Sequence, residues 1–196
     1  MSKIKAARSG TKRDAIITNA AKLFRTKGYR ASSMRELADK IGVEAPSLYN
    51  HIGSKAELLQ AICMQVGDRF THHLEEVTAS DKTATEKLKA LMLFHIAMMT
   101  SLFDEVYVAN HEWKHLEEPH LSHFLKQRRL YEAEMLQLIN EGIQQKEFKN
   151  IHPQVAVLTI LAALRGLEFW QQHKKDIPAA VLETNMVNHL LNGLIL

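Results

Sequence analysis

Between Ser32 and Glu57 the chain reads SSMRELADKIGVEAPSLYNHIGSKAE, a stretch that leaves little freedom in how it folds. Ser33 followed three residues on by Glu36 makes a capping box, in which hydroxyl and carboxylate each satisfy a backbone N–H that a helix start leaves orphaned. A helix therefore begins at Ser33. Met34, Leu37, Ala38 and Ile41 recur at helical spacing, and Gly42 supplies the tight turn that follows. A second helix spans about Glu44 to His51, where Pro46 is tolerated because its missing N–H falls in the first turn. Ser54 and Glu57 repeat the box and open a third. Two short helices joined at a glycine and followed by a capped helix form a helix-turn-helix.

The apolar positions say which face of this motif is hidden. Leu48 and Ile52 lie four apart, as do Leu37 and Ile41, so they pack against Ile16, Ala20, Leu23 and Phe24 of a preceding helix. The outward face of the second helix then presents Glu44, Ala45, Ser47, Asn50 and His51, and in a helix-turn-helix the N-terminal part of that helix enters the major groove. Asn50 can pair bidentately with adenine, and Ala45 can touch a thymine methyl. Ser33, at a helix N-terminus, offers a hydroxyl and N–H groups to a phosphate, with Arg35 beside it on the same surface. Glu44 is better read as complementing the helix dipole than as accepting from a cytosine amine.

Charge is distributed accordingly. The whole chain carries a net +3, but residues 1–60 hold 12 Lys and Arg against 5 Asp and Glu, a net +7, while the remainder is −4. A basic end on a mildly acidic body is the footprint of a protein that docks one end on phosphates. Lys3, Lys5 and Arg8 alone would equally suit a solvated tail. Cys63 is the one cysteine, so no intrachain disulfide forms and a reducing, cytoplasmic compartment is expected. The start MSKIKAARSG lacks a signal peptide's apolar segment, and no uncharged run reaches the ~20 residues of a spanning helix.

Ala20, Leu23, Phe24, Gly28 and Tyr29 before the motif, and Leu48, Tyr49, His51, Ser54, Lys55 and Leu58 closing it, resemble the DNA-binding domain of the TetR family of bacterial regulators from Thr11 to Ala61. The resemblance implies an all-α, two-part plan: a DNA-binding domain at 1–53 and a part at 54–196 for effector binding and dimerisation. It also implies that Tyr49 and Lys55 contact phosphates. Further on, Asn110, Glu112, Trp113, Leu116, Phe124, Tyr131, Glu132, Ile139, Gly142, Ile143, Glu147, Phe148 and Trp170 resemble the branch that responds to acyl-CoA thioesters, including regulators of fatty acid and sterol breakdown.

The remaining pattern is helical, with no strand alternation. Thr83 and Glu86 make another capping box; helices are expected over Thr83–Phe103, Asp104–Glu117, Pro119–Gln145, Pro153–His173 and Pro178–Leu194, about nine in all. One short reading helix makes too few base contacts for specificity, so a homodimer on a palindromic double-stranded operator is expected. Val155, Leu158, Ala162 and Gly166 form a row of mostly small residues for a partner helix, and Met186, Leu190, Leu194 and Leu196 a second stripe. A small hydrophobic effector, an acyl-CoA or another hydrophobic acid, would be lined by Phe94, His95, Met98, Met99, Phe103, Tyr107, Trp113, Phe124, Arg128, Tyr131 and Met135, with Arg165 a further cation. Arg128 is expected to pair with Glu132, four residues on, unless a ligand's phosphate or carboxylate takes that place.

His111, Glu112, Trp113, Lys114 and His115 spell H-E-x-x-H, which on one helix face could bind zinc and activate water. Among 11 histidines this spacing arises readily by chance. A zinc-binding regulator, with His95, His120 or His123 as further ligands, or a metallopeptidase, is therefore the alternative. The primary reading is a DNA-binding regulator, a repressor released by its ligand, with no catalytic residue, cofactor, metal or membrane partner.

Overall fold

The computed structural model of the protein describes residues 11–173 and 177–195, so Lys3, Lys5, Arg8 and Leu196 lie outside the described residues. The helices are α1 (Lys12–Lys27), α2 (Met34–Ile41), α3 (Ala45–Tyr49), α4 (Lys55–Thr78), α5 (Ala84–Ser101), α6 (Phe103–His111), α7 (His120–Gln144), α8 (Pro153–Arg165), α9 (Leu167–His173) and α10 (Ala179–Asn192). Only Gly166 separates α8 from α9, and counted as one bent element they bring the total among the described residues to the expected nine. Beyond helices there is, among the described residues, one isolated bridge, Phe148 to Ile195. Among the described residues no single helix is long and apolar enough to cross a membrane.

Local chemistry explains most of the boundaries. Ser33 caps α2 with the full reciprocal box, its Oγ accepting from Glu36 N at 3.2 Å while Glu36 Oε2 accepts from Ser33 N at 2.9 Å. Gly42 closes α2 in the left-handed region, at φ 73°, where a side chain would be strained. Thr83 and Glu86 form a second full box at α5. A third, Thr11 with Asp14, opens α1. At α4 the box is only half made: Ser54 Oγ accepts from Glu57 N at 3.0 Å, but the Glu57 carboxylate accepts from Gly53 N at 2.8 Å instead. Three expected helices are shorter. α3 stops at Tyr49, with Asn50 as its cap, and α6 stops at His111, after which Trp113–His115 form a 3-10 turn. The element beginning at Pro153 breaks at Gly166.

Burial divides along the chain as the pattern required. Ile16, Ala20, Leu23 and Phe24 of α1 are buried with Leu37, Leu48 and Ile52, and Ile41 is half-buried against them. The 24 residues of α4 run from this cluster into the larger bundle, about 36 Å at the helical rise. There α4 packs on α5, α6 and α7, while α6 also packs on α1.

At the end of α7, Gly142 carries the packing of the following turn. Its carbonyl accepts from Glu147 N at 2.8 Å and Phe148 N at 3.0 Å, and a Cβ there would lie 2.2 Å from the buried Phe148 ring. Gly142→Ala should therefore destabilise the protein by about 1–3 kcal/mol despite the better helix propensity of alanine. The check is urea unfolding, in which the midpoint falls and the slope stays constant.

Candidate functional site

The outward face of the helix-turn-helix is polar and exposed. Ser33, Arg35, Glu44, Ser47, Asn50 and His51 are all exposed, and Tyr49 is 50% exposed at the end of α3. Ala45 is half-buried against the core, which leaves part of its methyl on the surface. Glu44 sits at the N-cap of α3 without a side-chain cap hydrogen bond, the position expected for a charge that complements the dipole. The Ser33 hydroxyl lies 3.0 Å from Glu36 Oε2 and donates to it, so its proton is committed within the box.

Lys55 occupies a different place from that implied by the resemblance. Its ammonium donates to Tyr29 O at 2.9 Å, Arg30 O at 3.3 Å and Ser32 O at 2.9 Å, and lies 4.5 Å from the centre of the Tyr29 ring. An ammonium has three donors, so none remains for a phosphate. Lys55 instead ties the first turn of α4 to the loop that launches α2. The Tyr29 ring in turn meets Phe24 edge-on at 5.2 Å and stacks on His115 at 5.4 Å.

A cleft opens within the helices that follow. It encloses about 780 Å³, counting the part open to solvent, and draws its walls from α4, α5, α6, α7 and α8. Of the expected lining, His95, Met99, Phe124, Arg128, Tyr131 and Arg165 face it. The others do not. Met98 and Met135 are buried in the core, Phe94 stacks on His73 at 4.0 Å, and Phe103 lies under the Arg25 guanidinium at 5.1 Å. Tyr107 packs on His111 at 4.3 Å, and Trp113 faces Arg128 from outside the lining. α4 adds Val66, Gly67, Phe70 and Thr71, which the apolar stripes did not single out. Gly67 was the available signal: a glycine in the middle of a long helix, where a Cβ would meet Gln127 Oε1 at 2.3 Å.

The apolar wall of the cleft is interrupted by Thr71, His95, Asn110, Gln127, Arg128, Tyr131, Glu132 and Arg165. No ion pair joins Arg128 to Glu132 among the described residues; the Arg128 guanidinium sits 5.9 Å from both the Trp113 and Phe124 ring centres. Burial, then the nearby Arg165, lowers its pKa, the signature of a cation held in apolar company beside a like charge. Tyr131 Oη, His95 Nε2 and Gln127 Oε1 are buried with no hydrogen-bond partner, while Gln127 Nε2 donates to Asp68 Oδ1 at 2.7 Å. Burial pushes the His95 pKa down to about 3, with Arg165 and His73 adding to the shift, so this imidazole is neutral near pH 7.

Two further sets of residues were singled out. On α8, Val155 is 57% and Leu158 68% exposed, Ala162 and Gly166 are exposed, and Phe169 of α9 extends the row at 70%. On α10, Met186 and Leu190 are half-buried, but Leu194 is buried within its own chain, its carbonyl accepting from Lys149 N at 2.7 Å. Leu194 thus belongs to the intrachain core. The H-E-x-x-H spacing is not carried by one helix, because α6 ends at His111. His111 Nε2 lies 2.6 Å from Glu168 Oε2, whereas the His115 ring is held against Tyr29. Among the described residues no three His, Cys, Asp or Glu side chains are grouped to hold a metal ion.

Two outcomes are expected. Lys55→Met should lower stability by about 2 kcal/mol by loss of charged hydrogen bonds, and weaken binding to all DNA. The slope of log affinity against log salt should stay unchanged, since a lost phosphate contact would reduce it by about one. Second, unfolded chains bind a proton on histidine below about pH 6.5, whereas folded His95 does not until about pH 3. Acid therefore favours the unfolded state, and stability is lost as pH falls through that window, by up to about 1.4 kcal/mol per unit. Urea midpoints should fall less steeply with acid in His95→Leu than in the parent.

Comparison with known proteins agrees with this architecture. Residues 16–62 match the family described as bacterial regulatory proteins, tetR family, and residues 81–194 match the Tetracyclin repressor-like, C-terminal domain. The HTH-type transcriptional repressor KstR2 of Mycolicibacterium smegmatis is 23% identical over 140 residues, covering 71% of this chain and 68% of the repressor. The structure of the ketosteroid transcriptional regulator KstR2 of Mycobacterium tuberculosis superposes with a TM-score of 0.89 at 20% identity, covering 95% of this chain and 96% of that one. The structure of AibR in complex with isovaleryl coenzyme A and operator DNA superposes with a TM-score of 0.79 at 24% identity, covering 92% and 98%. With both domain matches in chain order on the observed helices, this chain belongs to the TetR family of DNA-binding transcriptional regulators.

Proposed function

We propose that this protein is a homodimeric repressor that binds a palindromic operator and is released by an acyl-CoA or another hydrophobic acid. The observation that carries the effector reading is the composition of the cleft. Two guanidinium groups, Arg128 and Arg165, line a mostly apolar wall, and neither has a carboxylate partner among the described residues. Such a pair suits the phosphates or carboxylate of an amphipathic ligand, whose apolar part would lie against Val66, Phe70, Val106 and Leu164. The isovaleryl coenzyme A bound by AibR supports the same class of ligand here.

In this reading the domains divide at Ser54, with Arg35, Asn50, Ser47, His51 and Tyr49 toward DNA. The exposed row Val155, Leu158, Ala162, Gly166 and Phe169 would meet its copy in a two-fold dimer, placing two reading helices on one duplex face.

Two helices can transmit occupancy. α4 begins where Lys55 holds the loop before α2 and lines the cleft from Val66 to Thr71. α6 lines it with Val106, Ala109 and Asn110 while its first turn packs on α1, with Asp104 paired to Arg25. A ligand that shifts either helix changes the spacing of the reading helices, and it releases DNA only if it binds the incompetent arrangement more tightly.

The test is fluorescence anisotropy on an operator selected from random duplexes. Asn50→Ala should relax sequence preference, Arg35→Ala should reduce the salt slope by about one, and dodecanoyl-CoA should lower operator affinity about 5–150-fold. Arg128→Met should raise the dodecanoyl-CoA concentration that this requires. Failure to select any DNA sequence would overturn the operator reading, and indifference to every thioester the effector reading.

A further inference from the structure

We propose that the cleft selects ligands carrying a neutral oxygen, a hydroxyl or a carbonyl, on the apolar part of the molecule, and that Tyr131 and His95 are the residues that recognise it. This rests on the reading of the cleft as a site for a hydrophobic acid, and adds what the rest of that acid must look like.

Four observations converge. Tyr131 Oη and His95 Nε2 are buried and have no hydrogen-bond partner, although each belongs to a residue that lines the cleft. Their rings are neighbours, 5.4 Å apart and near perpendicular at 74°, which brings two unpartnered polar side chains to one corner of the cleft wall. Phe70 contacts both rings, at 4.6 Å to His95 and 5.8 Å to Tyr131, and closes the apolar side of the same corner. The two residues come from different helices, α5 and α7, so their juxtaposition is a product of the tertiary fold rather than of one helix face.

The chemistry of the pair narrows the ligand. A buried polar group left unpaired costs free energy, and a bound oxygen that satisfies two such groups recovers it. Tyr131 stays protonated and His95 stays neutral, because burial opposes charge on both. A ketone would accept from the phenol and, in the Nε2–H tautomer, from the imidazole; a hydroxyl would donate to one and accept from the other. A second carboxylate is disfavoured, since neither residue supplies a charge to offset its desolvation. A purely hydrocarbon chain would leave both groups unpaired. The anionic end has its own partners in Arg128 and Arg165, so head and oxygen are read by separate residues.

Isothermal titration calorimetry of the full-length protein with dodecanoyl-CoA, and with isomers carrying one hydroxyl or keto group at successive carbons of the distal half, tests this. At least one oxygenated isomer should bind about tenfold more tightly than dodecanoyl-CoA. Tyr131→Phe, which removes only the hydroxyl, should abolish most of that preference, read as the ratio of the two affinities within the same variant; His95→Leu should do the same. If every isomer binds no better than dodecanoyl-CoA, or the preference survives both substitutions, the inference is overturned and the acyl-ligand reading stands. If neither dodecanoyl-CoA nor any isomer binds, that reading fails and the inference falls with it.

Discussion

Three backbone carbonyls, from Tyr29, Arg30 and Ser32, converge on the Lys55 ammonium, and much of the structure hangs from that point. The loop they belong to has no regular ladder of its own, so its polar groups need partners from elsewhere. Lys55 supplies them from the first turn of α4. The Tyr29 ring beneath the ammonium reaches Phe24 in the core of the helix-turn-helix on one side and His115 on the other. Reading surface, long helix and the turn after α6 are thereby held at one junction.

In the proposed reading that junction would give the cleft a mechanical route to the helices of the helix-turn-helix. Val66, Gly67, Phe70 and Thr71 lie on the same continuous helix as Lys55, and a helix transmits displacement along its axis because each turn is bonded to the next. In the proposed reading α6 would offer a parallel route, with cleft residues further along it and the Asp104 pair with Arg25 of α1 at its start. Both links cross the proposed boundary at Ser54, joining the two parts by direct contacts. Asn110 and His111, at the other end of α6, are tied to α9 by Glu168, which accepts from Asn110 Nδ2 at 2.8 Å.

The cleft itself balances two demands. Its wall is largely apolar, which suits burial of a hydrocarbon, yet it retains the half-buried Arg128 guanidinium without an ion pair and three buried neutral atoms, His95 Nε2, Gln127 Oε1 and Tyr131 Oη, without hydrogen-bond partners. A core built for stability alone would pair or omit such groups, because each unpaired one is costly. Sites of this kind are where stability is given up for recognition.

The sequence by itself determined the local grammar. Ser33 with Glu36, Gly42, Thr83 with Glu86 and the Leu37, Leu48 and Ile52 spacing act within a turn or two of their own helix, so the helix-turn-helix, the capped starts and the N-terminal core were all legible. Where contacts span tens of residues the pattern was silent. Lys55 reads as a free surface cation until its carbonyl partners, over twenty residues earlier, are placed beside it. Arg128 and Glu132 sit one helical turn apart, yet the guanidinium lies between two rings instead. Leu194 shares an apolar stripe with Leu190 but is covered by the turn at Phe148 and Lys149. The pairing of Tyr131 with His95 needed α5 and α7 to meet. Periodicity marks which face of a helix is apolar; only the packing of helices decides whether that face meets core, ligand or a second chain.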